Sequence, residues 1–417
     1  MKANWTVLEI VLYLIGIAFV AMLFFDAEGI QNLLDIQFST SVLITDYLSV
    51  GGLHATLANA GFVLILNLTL LRLFKIKIDG LILAALFTIL GFAFFGKNVI
   101  NSLPIYLGVI LYGYTQNIKP EIYMGSLLFS SGLAPLVSFM MFGLDMPIAL
   151  RLNLGFLGGI VAGFLVIPIA QKTKAFHQGY NLYNVGFTLG FISILYAVVF
   201  RAFDLSLTSN VAVSTQFNGP LWIMSGLLIG LFWLLAIAYK ASVKNYASLI
   251  QTTGLSMDYM KMYGSGTAFL NMAIMGTLSL LMIWGLNFSM NGPVVAGIFT
   301  VFGFGAFGKH PLNSLPVIAG AVLAVSVTNY SFDSVGMVIA VLFVTALAPV
   351  AGKYGVIAGL IAGFIHVLIT PFAYALQGGF DLYNNGFAAG FAAILVVNFM
   401  EPVMARFKSK EAVSERG

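Results

Sequence analysis

The sequence contains no cysteine, which excludes disulfide bonds, thiolate metal ligands and cysteine nucleophiles. Charge is also scarce, because only 8% of the 417 residues are Asp, Glu, Lys or Arg and the formal net charge is +4. Phosphate-binding glycine loops, nucleophile elbows and the zinc-binding His-Glu-x-x-His pattern do not occur. We therefore expect no enzyme activity, no metal, no cofactor and no nucleic-acid partner.

Hydrophobic residues make up 60% of the chain, more than the core of a soluble protein of this length can absorb. Apolar stretches long enough to cross roughly 30 Å of hydrocarbon recur along the whole sequence. The first, from about Ile10 to Phe25, lacks a small-residue cleavage motif and is followed by acidic residues, so we interpret it as a span and not as a signal peptide. The composition predicts an all-α polytopic protein whose partner is the lipid bilayer.

Two motifs occur twice in the chain. Residues 91–104, GFAFFGKNVINSLP, recur as residues 303–316, GFGAFGKHPLNSLP, with nine of 14 positions identical. A second motif at residues 178–187 recurs at 377–387. The duplication predicts about 14 hydrophobic segments arranged as two repeats of seven. The predicted parts are a first repeat at 5–200, an external linker at 201–216, a second repeat at 217–400 and a cytoplasmic basic tail at 401–417.

The basic residues predict the orientation of the chain. Threading the segments alternately leaves 15 of the 19 Lys and Arg residues on one side, while the acidic stretch after the first span carries none. The positive-inside rule then predicts a multi-pass protein of the cell (plasma) membrane with both termini in the cytoplasm. Because seven is odd, the second repeat starts from the opposite face, which is the inverted-topology arrangement of many secondary transporters and some channels.

The first motif lies where two short apolar runs meet, and each run is marginal in length for a full span. We expect re-entrant or broken helices near Lys97 and Lys309, with polar tips that reach toward the midplane from opposite faces. Ser102 is a candidate N-cap that would leave helix amides open to an electronegative group. An interfacial turn with a snorkelling lysine is the alternative. The candidate substrate-binding residues at the tips are Lys97, Asn98, Asn101, Lys309, His310 and Asn313.

The second motif is rich in amides and phenols, which suit a path for a hydrogen-bonding solute. The alternative is a helix N-cap within an aromatic belt. Its two copies differ, because the first has Asn181 where the second has Asp381, and an ionisable group at membrane depth is a place where ion or proton coupling can enter. The candidate lining residues are Asn181, Tyr183, Asn184, Asp381, Tyr383 and Asn384.

Together, Gly-Lys-[Asn/His]-x-x-Asn-x-x-Pro in both halves and Gln-Gly-x-[Asn/Asp]-Leu-Tyr-Asn resemble an uncharacterised family of bacterial multi-spanning membrane proteins, a domain of unknown function. The resemblance covers nearly the whole chain and implies no activity. The elements between residues 178 and 187 are also similar to motifs of bacterial urea transporters, which implies a polar slot between inverted halves. The seven-segment unit and the two motif lysines depart from that second pattern.

These observations predict a secondary transporter or facilitator for a small polar solute, either a neutral amide-like molecule or a small anion. Its site would lie at the interface of the two repeats. A channel-like pore, an intramembrane enzyme or lipid-handling protein, and a scaffold or receptor are the alternatives. The sequence is also compatible with a homo-oligomer and does not decide the oligomeric state.

Overall fold

The computed structural model describes residues 5–205 and 212–414, with side chains described up to residue 404. Regular structure in these residues is helical and includes no β-strand. The middle of the predicted linker and the side chains of the basic tail beyond residue 404 lie outside the described part of the chain. Ten of the described helices are long and apolar enough to cross a membrane. The protein is thus an all-helical multi-pass membrane protein, as predicted.

The first half contains five of the long helices and two shorter apolar ones. In α1 and α6–α7, short 3₁₀ or π turns complete the span, so that they extend over Val7–Phe25 and Pro120–Gly143. The helices of this half are α1 Val7–Ala21, α2 Gly29–Phe38, α3 Tyr47–Leu73, α4 Gly80–Phe92, α5 Val99–Thr115, α6 Pro120–Ser130, α7 Ala134–Ser138, α8 Ile148–Phe176 and α9 Asn184–Ala202.

The second half again contains five long helices and two shorter apolar ones. Here α16 and α17 join through a 3₁₀ turn into one span, Val335–Tyr354. The helices of this half are α10 Asn218–Ala238, α11 Val243–Leu249, α12 Tyr259–Tyr263, α13 Ser265–Gly285, α14 Gly292–Phe304, α15 Pro311–Val327, α16 Val335–Phe343, α17 Ala348–Tyr354, α18 Val356–Gln377 and α19 Asn384–Ser414.

The short helices α4 and α14 form the centre of the protein. Each begins after a capping side chain, Asp79 for α4 and Asn291 for α14, whose oxygen accepts a backbone amide 3.0 Å away. All 13 residues of α14 are buried, as are all residues of α4 except Leu81. A helix that is apolar on every face belongs inside a protein. At about 1.5 Å per residue, 13 residues span about 20 Å, well short of the hydrocarbon thickness.

Helices α4 and α14 pack against each other in antiparallel orientation, and glycine makes the close approach possible. A Cβ atom on Gly91 would lie 2.7 Å from the Cα atom of Ala296. With the halves exchanged, a Cβ atom on Gly303 would lie 3.2 Å from the Cα atom of Ala84. Since these contacts correspond at the repeat offset of 212 residues, the two halves meet face to face through the same surface.

The ends of this helix pair are fixed by two aspartates at equivalent positions. Asp258 accepts the backbone amide of Gly80 at the start of α4, with its oxygens 3.1 and 3.2 Å from the nitrogen. Asp46 accepts the amide of Gly292 at the start of α14, 3.3 Å away. Each half therefore caps the central helix of the other, which holds the interface in one register.

Candidate functional site

The connection between α4 and α5 carries the first motif and ends in a reciprocal cap. The Asn98 side chain accepts the amide of Asn101, and the Asn101 side chain accepts the amide of Asn98, both over 2.9 Å. Helix α5 therefore begins at Val99, and the predicted cap at Ser102 is wrong. Ser102 lies inside the helix, where its hydroxyl donates to the Asn98 carbonyl 2.7 Å away. Asn98 takes the capping role because its oxygen reaches the helix amides one turn earlier.

The second copy of the motif uses a histidine for the same cap. The His310 amide donates to the Asn313 side chain, 2.9 Å away. Nε2 of His310 lies 2.9 Å from the Thr252 carbonyl, so that nitrogen carries the proton. Nδ1 is then free to accept the Asn313 amide, 3.3 Å away. Because its two ring nitrogens already have partners that shape the loop, His310 acts as a cap at this position.

In each half, one buried asparagine folds the connection back on itself. The side-chain amide of Asn59 donates to the carbonyls of Ala93 and Lys97, over 2.8 and 2.9 Å. Asn271 donates in the same way to the carbonyls of Gly305 and Lys309, both over 2.7 Å. Non-helical backbone inside an apolar protein needs such partners. These bonds fix the direction in which each lysine leaves the backbone.

Each motif lysine is fully buried and donates a hydrogen bond across the interface to a tyrosine of the other half. The Lys97 ammonium lies 2.7 Å from the hydroxyl of Tyr383. The Lys309 ammonium donates to the hydroxyl of Tyr183 and also to Thr345, 2.8 Å away. None of the three ion pairs among the described residues involves either lysine. The interface thus contains two buried lysine amino groups whose described partners are neutral.

Six aromatic rings form a closed circle between the halves. Each ring contacts two others, with centroids 4.7 to 6.3 Å apart. Neighbours in the circle always come from different halves, so neither half could build it alone. Such edge and stacked contacts are the favourable geometries for aromatic pairs. In order around the circle the residues are Phe92, Tyr383, Phe129, Phe304, Tyr183 and Phe343.

All six rings line one cavity of about 340 Å³. The wall also includes amides and hydroxyls, while Lys97 and Lys309 lie behind the tyrosines and do not line it. At one end the cavity extends to Ile122, which is 73% exposed, and therefore connects the aromatic circle to the protein surface. The polar residues of the wall near the circle are Thr88, Asn181, Asn184, Thr300 and Asn385.

The cavity departs from the symmetry of the two halves. Lys174 and Gly179 of the first half line it, whereas the matching Tyr374 and Gly379 of the second half do not. On the second side the amide of Leu43 donates to the Gly379 carbonyl, 3.2 Å away, and the Tyr374 hydroxyl donates to the Leu43 carbonyl, 2.7 Å away. The cavity therefore extends along the first-half segment only, while these bonds hold the matching second-half segment in place.

The second motif turns the chain into α9 and α19 beside this cavity. The Asn181 oxygen accepts the Tyr183 amide over 2.9 Å, and its side-chain amide donates to the Gly386 carbonyl over 2.8 Å. At the matching position one oxygen of Asp381 accepts the Tyr383 amide over 2.8 Å. The other Asp381 oxygen is buried and has no hydrogen-bond partner among the described residues. Asp381 is thus next to the wall but not in it.

The structure brings part of the predicted site together. Four predicted residues line the cavity, two lysines support its tyrosines, and the others shape the turns around it. The wall residues are Asn181, Tyr183, Asn184 and Tyr383. The turn residues are Asn98, Asn101, His310, Asn313, Asp381 and Asn384, the last of which accepts the Asn385 side-chain amide over 3.0 Å.

Sequence reasoning missed four of the six rings. Phe92 and Phe304 are identical residues of the first motif, so the duplication itself was a signal for them. Phe129 and Phe343 each stand four residues before a Leu-Ala-Pro sequence, which also occurs in both halves. A search for repeated aromatic positions would have found all four.

Comparison with known proteins gives one match. A family model described as a protein of unknown function, DUF1576, matches residues 25–202 and 238–402, one stretch in each half. No curated protein and no solved structure matches the chain. Because the family model covers most of the sequence, this membrane protein belongs to the DUF1576 family of proteins of unknown function.

Proposed function

We propose that this protein transports a small polar solute across the cell membrane, and that the solute binds in the cavity between the two halves. The observation that carries the proposal is the circle of six rings, which alternates between the halves and encloses one cavity connected to the surface. Pockets of this size, mainly aromatic with a few polar groups, are typical of small-molecule sites. The site at the junction of repeated halves is the usual position in secondary transporters.

In this proposal the halves are inverted repeats in the membrane. Each half has five long helices, and a pair of short ones that returns to its own side adds no net crossing. The second half then starts from the opposite face, and the antiparallel packing of α4 against α14 supports this orientation. The four short helices would form re-entrant pairs, because their lengths of 13 and 17 residues fall short of or barely reach a full span. Both termini would be cytoplasmic, by the placement of basic residues.

The buried lysines favour a solute with an electronegative group. Each tyrosine hydroxyl accepts from an ammonium group, so its own proton remains available to a solute in the cavity. When protonated, the two lysines behind the wall would lower the free energy of an anion there, since the low dielectric strengthens the attraction. A small organic anion with an apolar body is thus the favoured solute. A neutral amide-like molecule is the other candidate, because Asn181 and Asn184 line the cavity and each side-chain amide has a second N–H beyond the one that it donates to a backbone carbonyl.

The difference between the two ends of the cavity supports a carrier over an open pore. The open end contains Lys174, so the positive-inside rule would place it at the cytoplasm. In this proposal the opposite end is closed by the bonds that Leu43 makes with Gly379 and Tyr374. If the halves exchanged their conformations, these bonds would open and the Gly179 end would close. The solute would then meet first one side of the membrane and then the other.

Uptake by proteoliposomes tests this function. We would measure a panel of radiolabelled monocarboxylates and neutral amides, including urea, with wild-type protein, Lys97→Met, Lys309→Met and empty vesicles. Exchanging a buried charge for an apolar chain of similar length is often neutral or stabilising, so these variants should fold. We expect carboxylate uptake by both variants to be about tenfold lower than by the wild type. A tenfold decrease corresponds to an increase of about 1.4 kcal/mol in the activation free energy.

The exposed Lys119 supplies the matched control, because Lys119→Met removes a lysine that lies outside the cavity. That variant should take up solute like the wild type. Loss of carboxylate uptake with retained amide uptake would identify the anion. Unchanged uptake in both buried-lysine variants would remove the lysines from the mechanism.

A further inference from the structure

The two halves differ in charge type at one buried position next to the cavity. Asn181 in the first half and Asp381 in the second occupy the same place in the repeated turn, and both are buried. Each accepts the backbone amide two residues later, that of Tyr183 or Tyr383, over 2.9 and 2.8 Å. The backbone therefore holds the two side chains in the same orientation.

The remaining polar atom of Asn181 faces the other half. This atom is the amide nitrogen, which donates to the Gly386 carbonyl over 2.8 Å. Gly186 and Gly386 pack together, since a Cβ atom on Gly186 would lie 3.3 Å from the Gly386 Cα atom. If the second half follows the same symmetry, the Gly186 carbonyl would face the second oxygen of Asp381. A carbonyl can only accept a hydrogen bond, so an ionised carboxylate has nothing to offer it, whereas a protonated carboxyl donates as Asn181 does.

Among the described residues no Lys or Arg side chain forms an ion pair with Asp381. Its second oxygen is buried and has no hydrogen-bond partner among them. One turn earlier the side chain of Gln377 is also buried with neither amide atom paired. An ionised carboxylate in such a place is costly unless it is paired. The titratable or charged side chains on the elements around it are Tyr383, Tyr106 on α5, Lys97, His177 at the end of α8, His366 on α18 and Arg201 on α9, whose guanidinium donates to the carbonyls of Ala375 and Leu376.

We propose that Asp381 is a proton-binding site and that its proton drives the movement of solute through the cavity. This inference rests on the proposed transport function. In the step itself, an O–H bond forms between a proton from water and the free oxygen of Asp381, and that bond breaks when the proton leaves to water on the other side. No electron moves, and the carboxyl returns to its first state in each cycle.

Infrared spectroscopy of the purified protein tests the proton site without any solute. Wild-type protein at mildly alkaline pH should show the C=O stretch of a protonated carboxyl, and Asp381→Asn should lack it. Burial raises the pKa of Asp46, the buried carboxyl that precedes α3, to about 6, so Asp46 is ionised under these conditions. Asp46→Asn should therefore keep the band. A wild-type protein without the band, or a band that persists in Asp381→Asn, would overturn the site.

Coupling is tested in proteoliposomes with a solute that the wild type takes up. Asp381→Asn makes the two halves alike at this position, so we expect the variant to fold and to exchange labelled for unlabelled solute. Its uptake driven by a pH gradient should be at least tenfold lower than that of the wild type. Retained pH-driven uptake in Asp381→Asn, or uptake driven by a sodium gradient alone, would overturn the coupling while transport stands. If the wild type moves no solute of the panel, the transport proposal fails even where the infrared band is present.

Discussion

The ammonium group of Lys309 donates a hydrogen bond to the hydroxyl of Tyr183, which belongs to the other half of the chain. Lys97 stands in the same relation to Tyr383. Each half therefore supplies the lysine that supports the other half's tyrosine. An ammonium donor also polarises the hydroxyl that accepts from it, so the hydroxyl becomes a better donor toward the cavity. Two such pairs place two polar hydroxyl groups in the aromatic circle.

The two lysine–tyrosine pairs should differ in their effect on stability. Tyr383→Phe removes the acceptor described for the Lys97 ammonium, whereas after Tyr183→Phe the Lys309 ammonium keeps Thr345. A buried donor without a partner costs about 1–3 kcal/mol. We expect Tyr383→Phe to lower the free energy of unfolding by that amount and Tyr183→Phe by less, measured by denaturant unfolding in detergent. Tyr114→Phe is the control, because Tyr114 is 81% exposed. Equal losses in the two buried variants would contradict the described pairing.

The close contact of α4 with α14 should not tolerate a methyl group. In Gly91→Ala the new Cβ atom would lie 2.7 Å from the backbone of Ala296, so the helices would have to separate. Overpacking of this kind costs about 1–3 kcal/mol. Gly230→Ala in α10 is the matched control, since a Cβ atom there meets nothing within 4 Å. That variant should gain up to about 1 kcal/mol from the better helix propensity of alanine. Thermal unfolding of both variants measures the difference, and a stable Gly91→Ala would show that the helices are farther apart.

The two asparagines that fold the connections, Asn59 and Asn271, should contribute unequally to the stability of the protein. Asn59 donates to two carbonyls and accepts the Gln37 side-chain amide over 2.9 Å, whereas the Asn271 oxygen has no hydrogen-bond partner among the described residues. Asn59→Ala thus leaves one more buried polar group unpaired than Asn271→Ala. We expect it to be less stable than Asn271→Ala by about 1 kcal/mol or more. The reverse order in denaturant unfolding would mean that Gln37 finds another partner.

Single cysteines test the orientation of the halves, because the natural chain has none. Gln116 and Asn329 are exposed residues in the turns that follow α5 and α15. We expect a membrane-impermeant maleimide to label Asn329→Cys in intact cells and to reach Gln116→Cys only after permeabilisation. Labelling of both variants from the same side would show that the halves are parallel, and the inverted-repeat proposal would be wrong.

The sequence predicted the membrane class and the helical fold because both depend on composition and on the length of apolar runs. It also predicted where polar groups would enter the interior, since duplication marks Lys97 and Lys309 independently of their surroundings. The sequence did not predict the direction in which these lysine side chains point. Whether a lysine in a loop points into a cavity or behind a tyrosine depends on bonds such as those of Asn59, which join residues 34 and 38 positions apart.

The aromatic circle was missed in the sequence for a related reason. The chain has 37 phenylalanines, and a membrane protein places many of them against lipid. Phe203, for example, is 75% exposed, whereas Phe92 is buried in the circle. The partners of Phe92 within the circle are residues 343 and 383, which only the packing of the two halves brings together.

Blocking the cavity with a single thiol tests the central claim most directly. Ser126 lines the cavity and is half-buried, so Ser126→Cys would be the one reactive thiol in the path. Modification with a bulky thiol reagent should abolish solute uptake by proteoliposomes, and added solute should slow the modification. The same reagent should leave uptake by Ser248→Cys unchanged, because Ser248 is exposed on α11 and lies outside the cavity. Full uptake by modified Ser126→Cys would show that the solute does not pass through this cavity.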